Sequence, residues 1–184
     1  MKKYFSEEHF MLKQMVNEFT EKEIRPVAQE IDSKSKFPSE IINKMSKLGL
    51  LGIPWDEKYN GIGMDTLSLV IAIEEIGKVC ASTAVTMMAH TSLGSGPIAY
   101  FGTEEQKQKY LTKLASGEIL GAFGLTEPNA GSDAGGTQTT AKLSGDYYVI
   151  NGQKAFCTNA GKSGIIIITA LILNESSNKN NIGA

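Results

Sequence analysis

The spacing of apolar residues changes period once along the chain, at Gly117, and that change does most to limit the fold. Up to that glycine, apolar side chains recur at helical spacing, which places them along one side of a helix. Beyond it they fall into short apolar or alternating runs of strand length, with Ser144-Gly145-Asp146 and Asn151-Gly152 as turns between them. Helices followed by strands exclude the alternating βαβ layout and predict segregated layers. We expect a multi-domain, α-then-β chain. An all-α helical domain occupies residues 1–117, and an incomplete β-barrel or sandwich domain occupies residues 118–184.

Local signals divide the helical part. Ser6 is an N-cap with Glu7 and Glu8 in the first turn, and Leu12, Met15, Val16 and Phe19 form one apolar face. Pro26 marks a break or a new first turn, after which Val27, Ala28 and Ile31 continue the pattern. A third helix starts near Pro38, turns Ile41, Ile42, Met45 and Leu48 inward, and stops at Gly49. Gly52 to Gly63 reads as a structured loop in which Asn60-Gly61 suits two consecutive left-handed positions. Asp65 caps a helix running to Lys78 that is apolar nearly all round and belongs in the interior. Ala81 to Leu93 is a helix of small side chains, suited to a tight crossing or to a binding wall, and Gly94, Gly96 and Pro97 end it. Thr103-Glu104-Glu105-Gln106 is a capping box for a helix that runs to Gly117.

In the β part, strands are expected over Ile119–Leu125, Thr137–Leu143, Tyr147–Ile150, Ala155–Thr158 and Ile165–Leu173. Asn174 to Asn181 is polar, as in an exposed loop or frayed end, and Ile182-Gly183-Ala184 resumes a strand pattern. A sheet left with an open edge is incomplete or expects a partner, so the chain reads as cut short.

Charge and composition exclude several function classes. With 18 basic and 20 acidic residues, the net charge is −2 and no block of like charge occurs. A nucleic-acid stripe and a polybasic membrane anchor are therefore not expected. No run of about 18 apolar residues suggests membrane insertion, and Ser6-Glu7-Glu8-His9 interrupts the stretch a secretion signal needs. Cys80 and Cys157 are the two cysteines, and His9 and His90 the two histidines, all in unrelated contexts. That excludes a disulfide framework, fits a reducing, cytoplasmic setting, and supplies no metal site.

The loop Leu125-Thr126-Glu127-Pro128-Asn129-Ala130-Gly131-Ser132-Asp133-Ala134-Gly135-Gly136 stands out at the start of the β part. Its glycines permit close backbone approach and an anion-binding nest, and Thr126 and Ser132 add hydroxyl donors. A turn-rich surface loop has the same composition, so both readings stay open on residue type alone.

Its wording, however, resembles the acyl-CoA dehydrogenase flavoprotein family. Ala122-Phe123-Gly124-Leu125-Thr126-Glu127-Pro128, followed by Ala130-Gly131-Ser132-Asp133, carries the likeness most specifically. Ile24-Arg25-Pro26-Val27-Ala28, Leu48 to Ile53, Tyr59 to Gly63, Phe101 to Gln106, Tyr147 to Lys154 and Phe156-Cys157-Thr158-Asn159 follow in the family's order. The likeness spans nearly the whole chain and is nearest the short-chain, butyryl-CoA dehydrogenase type.

The resemblance implies FAD held between a helical domain, a middle β domain and a C-terminal helical domain that lies outside this sequence. Phe123, Gly124, Leu125 and Thr126 would line the flavin. Gly131 and Ser132 would approach its pyrophosphate and the CoA side, with Ser132 also touching substrate. Phe156 would pack on the ring beside Cys157, and Thr158 would donate toward the reactive nitrogen. Thr86 and Ala89 would line the acyl tunnel. The implied reaction converts an acyl-CoA to a trans-2-enoyl-CoA, with electrons leaving to an electron-transferring flavoprotein and a homotetramer as the full-length assembly. No residue matches the family's catalytic glutamate: Glu127 fits a loop-organising role, and Glu74 and Glu75 fit paired structural carboxylates. Asp56, Asn60 and Phe156 depart from residues common at those positions. An oxidase or monooxygenase relative, and a non-catalytic, partner-dependent fragment without its own flavin, stay open as alternatives.

Overall fold

The structure, a computed structural model, describes residues 5–173 and 181–184. Helix α1 (Glu7–Phe19) begins at Ser6, whose hydroxyl accepts the His9 N–H at 3.3 Å while the His9 Nδ1 accepts the Ser6 N–H at 2.9 Å. His9 thus takes the place of the usual Glu or Gln in a capping box. Its Nε2 also meets Asp65 at 3.0 Å, and Asp65 accepts the Ser68 N–H at 2.8 Å as N-cap of α4 (Thr66–Gly77). The first turns of two helices are therefore joined through one imidazole.

The expected break near Pro26 is a change of winding rather than a gap. A π-helical turn, Thr20–Ile24, runs directly into α2 (Arg25–Ser33), and the Arg25 N–H reaches back to the Thr20 carbonyl. Pro26 lies in the first turn, where its missing N–H costs little. Helix α3 (Ser39–Lys47) buries Ile41, Ile42 and Met45 as expected, but Leu48 is exposed. The helix has ended by Leu48, and Gly49 turns the chain through φ +72°, so the inner stripe stops one residue early. In the following loop Asn60 is left-handed at φ +64°, as expected, whereas Gly61 is not among the positive-φ residues. Its glycine is a steric requirement, because a Cβ there would lie 1.9 Å from the Trp55 carbonyl oxygen.

Helix α4 is not enclosed all round. Leu69, Ile71, Ala72 and Ile76 are buried, with α1 and α5 (Ala81–Met88) packed against the helix, while Val70 and Glu74 face solvent. Two neighbouring helices cannot cover a whole circumference. The helix expected to stop at Gly94 instead passes from α5 through a π-helical stretch, Ala89–Ser95, into α6 (Gly96–Phe101). Gly94 is needed for contact, since its Cβ would sit 2.6 Å from the Gly121 Cα. Helix α7 (Glu104–Gln106) opens with the expected Thr103–Gln106 capping box, and a π turn, Lys107–Leu111, leads to α8 (Thr112–Ala115). Gly117, at φ +71°, then turns the chain toward the strands.

Strand β1 (Gly121–Gly124) pairs in parallel with β4 (Ile165–Ile168). A second sheet has the order β3-β2-β5-β6, with β2 (Thr140–Ser144), β3 (Tyr147–Asn151), β5 (Ala170–Leu173) and β6 (Asn181–Gly183). The run Ile165–Leu173, expected as one strand, divides at Thr169 and serves both sheets. Neither sheet closes among the described residues. Of the polar loop expected from Asn174 to Asn181, residues 174–180 lie outside the described residues, while Asn181 opens β6, which continues through the strand pattern around Ile182.

The helices thus precede a β-rich part, as the change of period implied. One apolar core lies among α1–α5 and Leu50–Ile53. A second joins Trp55, Tyr59, Ile98, Leu111 and Leu114 to Ile119, Ile165 and Ile167, so β1 and β4 pack directly on the helices. That packing fixes the start of the candidate loop.

Candidate functional site

Two segments meet at the end of β1. The Ala155 N–H donates to the Thr126 carbonyl at 2.7 Å, and Lys154 Nζ donates to the Leu125 carbonyl at 3.1 Å. The Phe123 N–H faces the Cys157 sulfur, and burial pushes that thiol's pKa up despite this contact. Phe123, Gly124, Leu125 and Thr126 are thereby brought beside Phe156, Cys157 and Thr158. A Cβ on Gly124 would press within 3.1 Å of Lys154, so the glycine lets the segments close.

The strand expected over Ala155–Thr158 does not form. The backbone is left-handed at Phe156 (φ +53°) and at Asn159 (φ +71°), which no strand accommodates. As a result the Phe156 ring is 93% exposed instead of tucked under the sheet. A left-handed aromatic residue costs roughly 1–2 kcal/mol, and such strain is found mostly where geometry serves a function. Close to it lie an exposed Leu125 and the half-buried hydroxyls of Thr126 and Thr158, neither of which hydrogen-bonds another described residue. An uncovered aromatic face beside free hydroxyls suits a flat, conjugated ligand with polar edges.

Glu127 and Lys154 hold this edge together. The Glu127 carboxylate accepts from Lys154 Nζ at 2.6 Å, the Gln138 N–H at 2.7 Å and the Thr139 N–H at 3.1 Å. Lys154 Nζ also donates to the Thr169 hydroxyl at 3.1 Å, between β4 and β5. The hydrogen bond from Lys154 is the main reason that the Glu127 carboxyl is held down to about 2, with the Thr139 and Gln138 contacts adding to it. A carboxylate so committed has no affinity for a substrate proton near neutral pH. Glu75 is equally occupied. Burial raises its pKa, but hydrogen bonding and charge from Lys78 at 2.5 Å, with Asn17 and Lys13, leave it low. Glu74 is exposed and meets Lys78 at 3.8 Å, so Glu74 and Glu75 share a lysine rather than a proton.

The remaining candidates stand apart. Glu127 and Ala130 exchange backbone hydrogen bonds at 2.9 and 3.1 Å, closing a tight turn that leaves Gly131 and Ser132 exposed beyond it. No atom lies within 4 Å of a Cβ built on Gly131, which leaves its backbone open to approach. The buried Thr86 donates its hydroxyl to the Ser82 carbonyl of its own helix at 3.0 Å. Its carbonyl accepts from Asn159 Nδ2 at 3.0 Å, which joins α5 to the Phe156–Thr158 segment. Ala89 is buried in the π-helical stretch that packs against β1.

Three organising residues escaped the sequence reading: Lys154, Asn159 and His90. His90 is fully buried, accepts the Gly121 N–H on Nδ1 at 2.9 Å and donates from Nε2 to the Leu114 carbonyl at 3.1 Å. A donor at Nδ1 and an acceptor at Nε2 settle the tautomer, and the Leu51 carbonyl also approaches the ring. Nothing local in the sequence signals these contacts, because each partner is at least 15 residues away. Among the described residues no group of three potential metal ligands occurs, and no helix is long and apolar enough to cross a membrane.

Comparison with known proteins identifies the family. The family model for the acyl-CoA dehydrogenase N-terminal domain matches residues 6–118, and that for the middle domain matches residues 122–183. The short-chain specific acyl-CoA dehydrogenase of Clostridium acetobutylicum is 53% identical over 89% of this chain and 43% of its own length. Butyryl-CoA dehydrogenase from Megasphaera elsdenii superposes with a TM-score of 0.88 at 40% identity, covering 97% of this chain and 49% of that one. An acyl-CoA dehydrogenase from Bacillus anthracis, solved in complex with FAD, gives 0.87 at 39% identity over 92% of this chain and 30% of its own. The chain spans less than half the length of each of these proteins. By two family models in order, and by identity well beyond fold likeness alone, it belongs to the acyl-CoA dehydrogenase family.

Proposed function

We propose that the complete protein is an FAD-dependent acyl-CoA dehydrogenase that forms a trans-2-enoyl-CoA from a short-chain acyl-CoA. The observation that carries this reading is the bare, left-handed Phe156 set beside the free hydroxyls of Thr126 and Thr158. An isoalloxazine needs a flat apolar surface and hydrogen-bond donors at its edge, and this cluster offers both. The short-chain assignment rests on the Clostridium and Megasphaera relatives.

When bound, FAD supplies the hydride acceptor for the substrate β-hydrogen. The chain's own residues bind and orient. Phe156 would cover a face of its ring system, Phe123 and Leu125 would bound it, and Thr126 and Thr158 would donate to its heteroatoms. Gly131 and Ser132, exposed past the Glu127–Ala130 turn, offer backbone N–H groups and a hydroxyl to phosphate oxygens. Thr86 and Ala89, on the helical wall tied to this edge by Asn159, face the acyl side. Proton abstraction requires a free carboxylate, and Glu127 and Glu75 are both bound to lysine. Neither is therefore proposed as the base, and no residue of this chain is assigned that role. Electron-transferring flavoprotein is the proposed acceptor, a homotetramer the proposed assembly, and the junction at residues 117 and 118 the proposed domain boundary.

The test is anaerobic mixing of the complete gene product with butyryl-CoA. Bleaching of a bound flavin is expected; a yellow protein that no acyl-CoA bleaches would refute the activity. Rapid reoxidation by oxygen after bleaching would favour an oxidase relative.

A further inference from the structure

We propose that Asn159 is a positioning residue that sets the cofactor-facing segment Phe156–Thr158 at a fixed distance from both α5 and β1. The proposal rests on the flavin reading above for its purpose, but its geometry is independent of any ligand. Asn159 Nδ2 donates to the Thr86 carbonyl of α5 at 3.0 Å and to the Gly121 carbonyl of β1 at 3.2 Å. Both neighbours are acceptors, so only the amide NH2 can face them, which settles the orientation of the side chain. Asn159 Oδ1 is buried without a partner among the described residues, a cost the two donated bonds must offset.

The two anchor points matter for the site. Gly121 is held from its other side, its N–H donating to His90 Nδ1 at 2.9 Å, while His90 donates to the Leu114 carbonyl at 3.1 Å. A continuous hydrogen-bonded path thus runs from α8 through His90, Gly121 and Asn159 to α5. Phe123 lies two residues along β1 from one anchor, and Thr86 is itself the other. One amide therefore fixes the Phe156 segment against the strand and against the helical wall together. An ordinary reason for asparagine here is its tolerance of the left-handed backbone at φ +71°. Glycine tolerates that conformation at least as well, so the two explanations separate cleanly.

The experiment compares the complete protein with Asn159→Gly and Asn159→Asp. Glycine keeps the backbone and removes the clamp. Aspartate keeps the shape but turns a carboxylate toward two carbonyl oxygens. In flavin-free protein, labelling by a disulfide reagent is located by peptide mapping; Cys157 is half-buried and Cys80 buried, so the rate at Cys157 reports release of the segment. Both variants are expected to label about tenfold faster at Cys157 and to bind FAD about tenfold more weakly, the loss corresponding to one neutral hydrogen bond or more. The visible band of any bound flavin should also shift, which a general loss of stability would not produce. If Asn159→Gly labels at the wild-type rate, or labels faster with unchanged FAD affinity and spectrum, the proposal is overturned. If Asn159→Gly fails to fold, Asn159→Asp decides by the same two readings. A wild-type protein that binds no FAD while its variants label faster would sink the flavin reading and uphold the clamp.

Discussion

His90 should make this protein lose stability in mild acid, before its carboxylates titrate. The imidazole is fully buried, and burial drives its pKa down from 6.5 to about 4, against the opposing hydrogen bond to the Leu114 carbonyl. The folded state therefore holds it neutral, while the unfolded chain takes up a proton from about pH 6.5 downward. Stability from this group is complete above pH 6.5 and is lost as pH falls from 6.5 to about 4. A shift of this size corresponds to about 3 kcal/mol, with a slope approaching 1.4 kcal/mol per pH unit inside that window. Set against a typical stability of about 5–15 kcal/mol, that loss is large. Asp65 and Glu127, each held at about 2, lose their contributions only as pH falls below the ordinary carboxylate range. The assay is urea unfolding of flavin-free protein at pH steps from 7.5 to 4.5, followed by the fluorescence of Trp55, the one tryptophan of this sequence. His90→Gln is the comparison. It should be less stable at pH 7.5 by about 1–3 kcal/mol, because the glutamine amide, although it has both an acceptor and a donor, must be held in place by a longer and more flexible side chain than the rigid imidazole. Its stability should nevertheless fall less steeply below pH 6.5, since the titrating group is gone. Parallel curves for the two proteins between pH 6.5 and 4.5 would refute the reasoning.

Three further outcomes follow from the packing. Lys154→Met leaves Glu127 in place without its main partner, so the carboxyl should titrate upward and the acid-unfolding midpoint should move to higher pH, read by circular dichroism. Stability tied to the low Glu127 pKa is present above about pH 4.5 and lost toward pH 2, which fixes the sign of that change. Gly94→Ala drives a methyl to 2.6 Å from the Gly121 Cα, and should cost about 1–3 kcal/mol and lower Tm by several degrees in calorimetry. Phe156→Gly should raise stability by about 1 kcal/mol by relieving the left-handed backbone, yet weaken FAD binding in equilibrium titration.

What could be read directly from the residues was governed by near neighbours. Ser6, Asp65 and Thr103 cap helices because a side-chain oxygen reaches an N–H three residues on, whatever else the protein does. Gly49, Asn60 and Gly117 turn the chain at positive φ for equally local reasons. The errors arose where a distant surface overrode the local pattern. Gly94 resembles a helix stop, but it is the point where a continuing helix touches β1. Val70 looks interior, but it lies on a side of α4 that no described helix covers. Ala155–Thr158 has strand composition, but the contacts of Lys154, Ala155 and Asn159 bend it and push Phe156 outward.

The amino-acid sequence by itself determined the succession of helices and strands, the helix ends, and the wording of the loop that marks the family. Those depend on spacing and on bonds that close within a few residues. Only the tertiary structure decided how the loop becomes a site. The contacts that do so join residues 27, 31 and 73 positions apart: Lys154 to Glu127, His90 to Gly121, and Asn159 to Thr86. Each is a polar group withdrawn from water and satisfied by a partner that only the folded chain brings within reach. Burial gives those bonds their strength, and burial is a property of the packed whole.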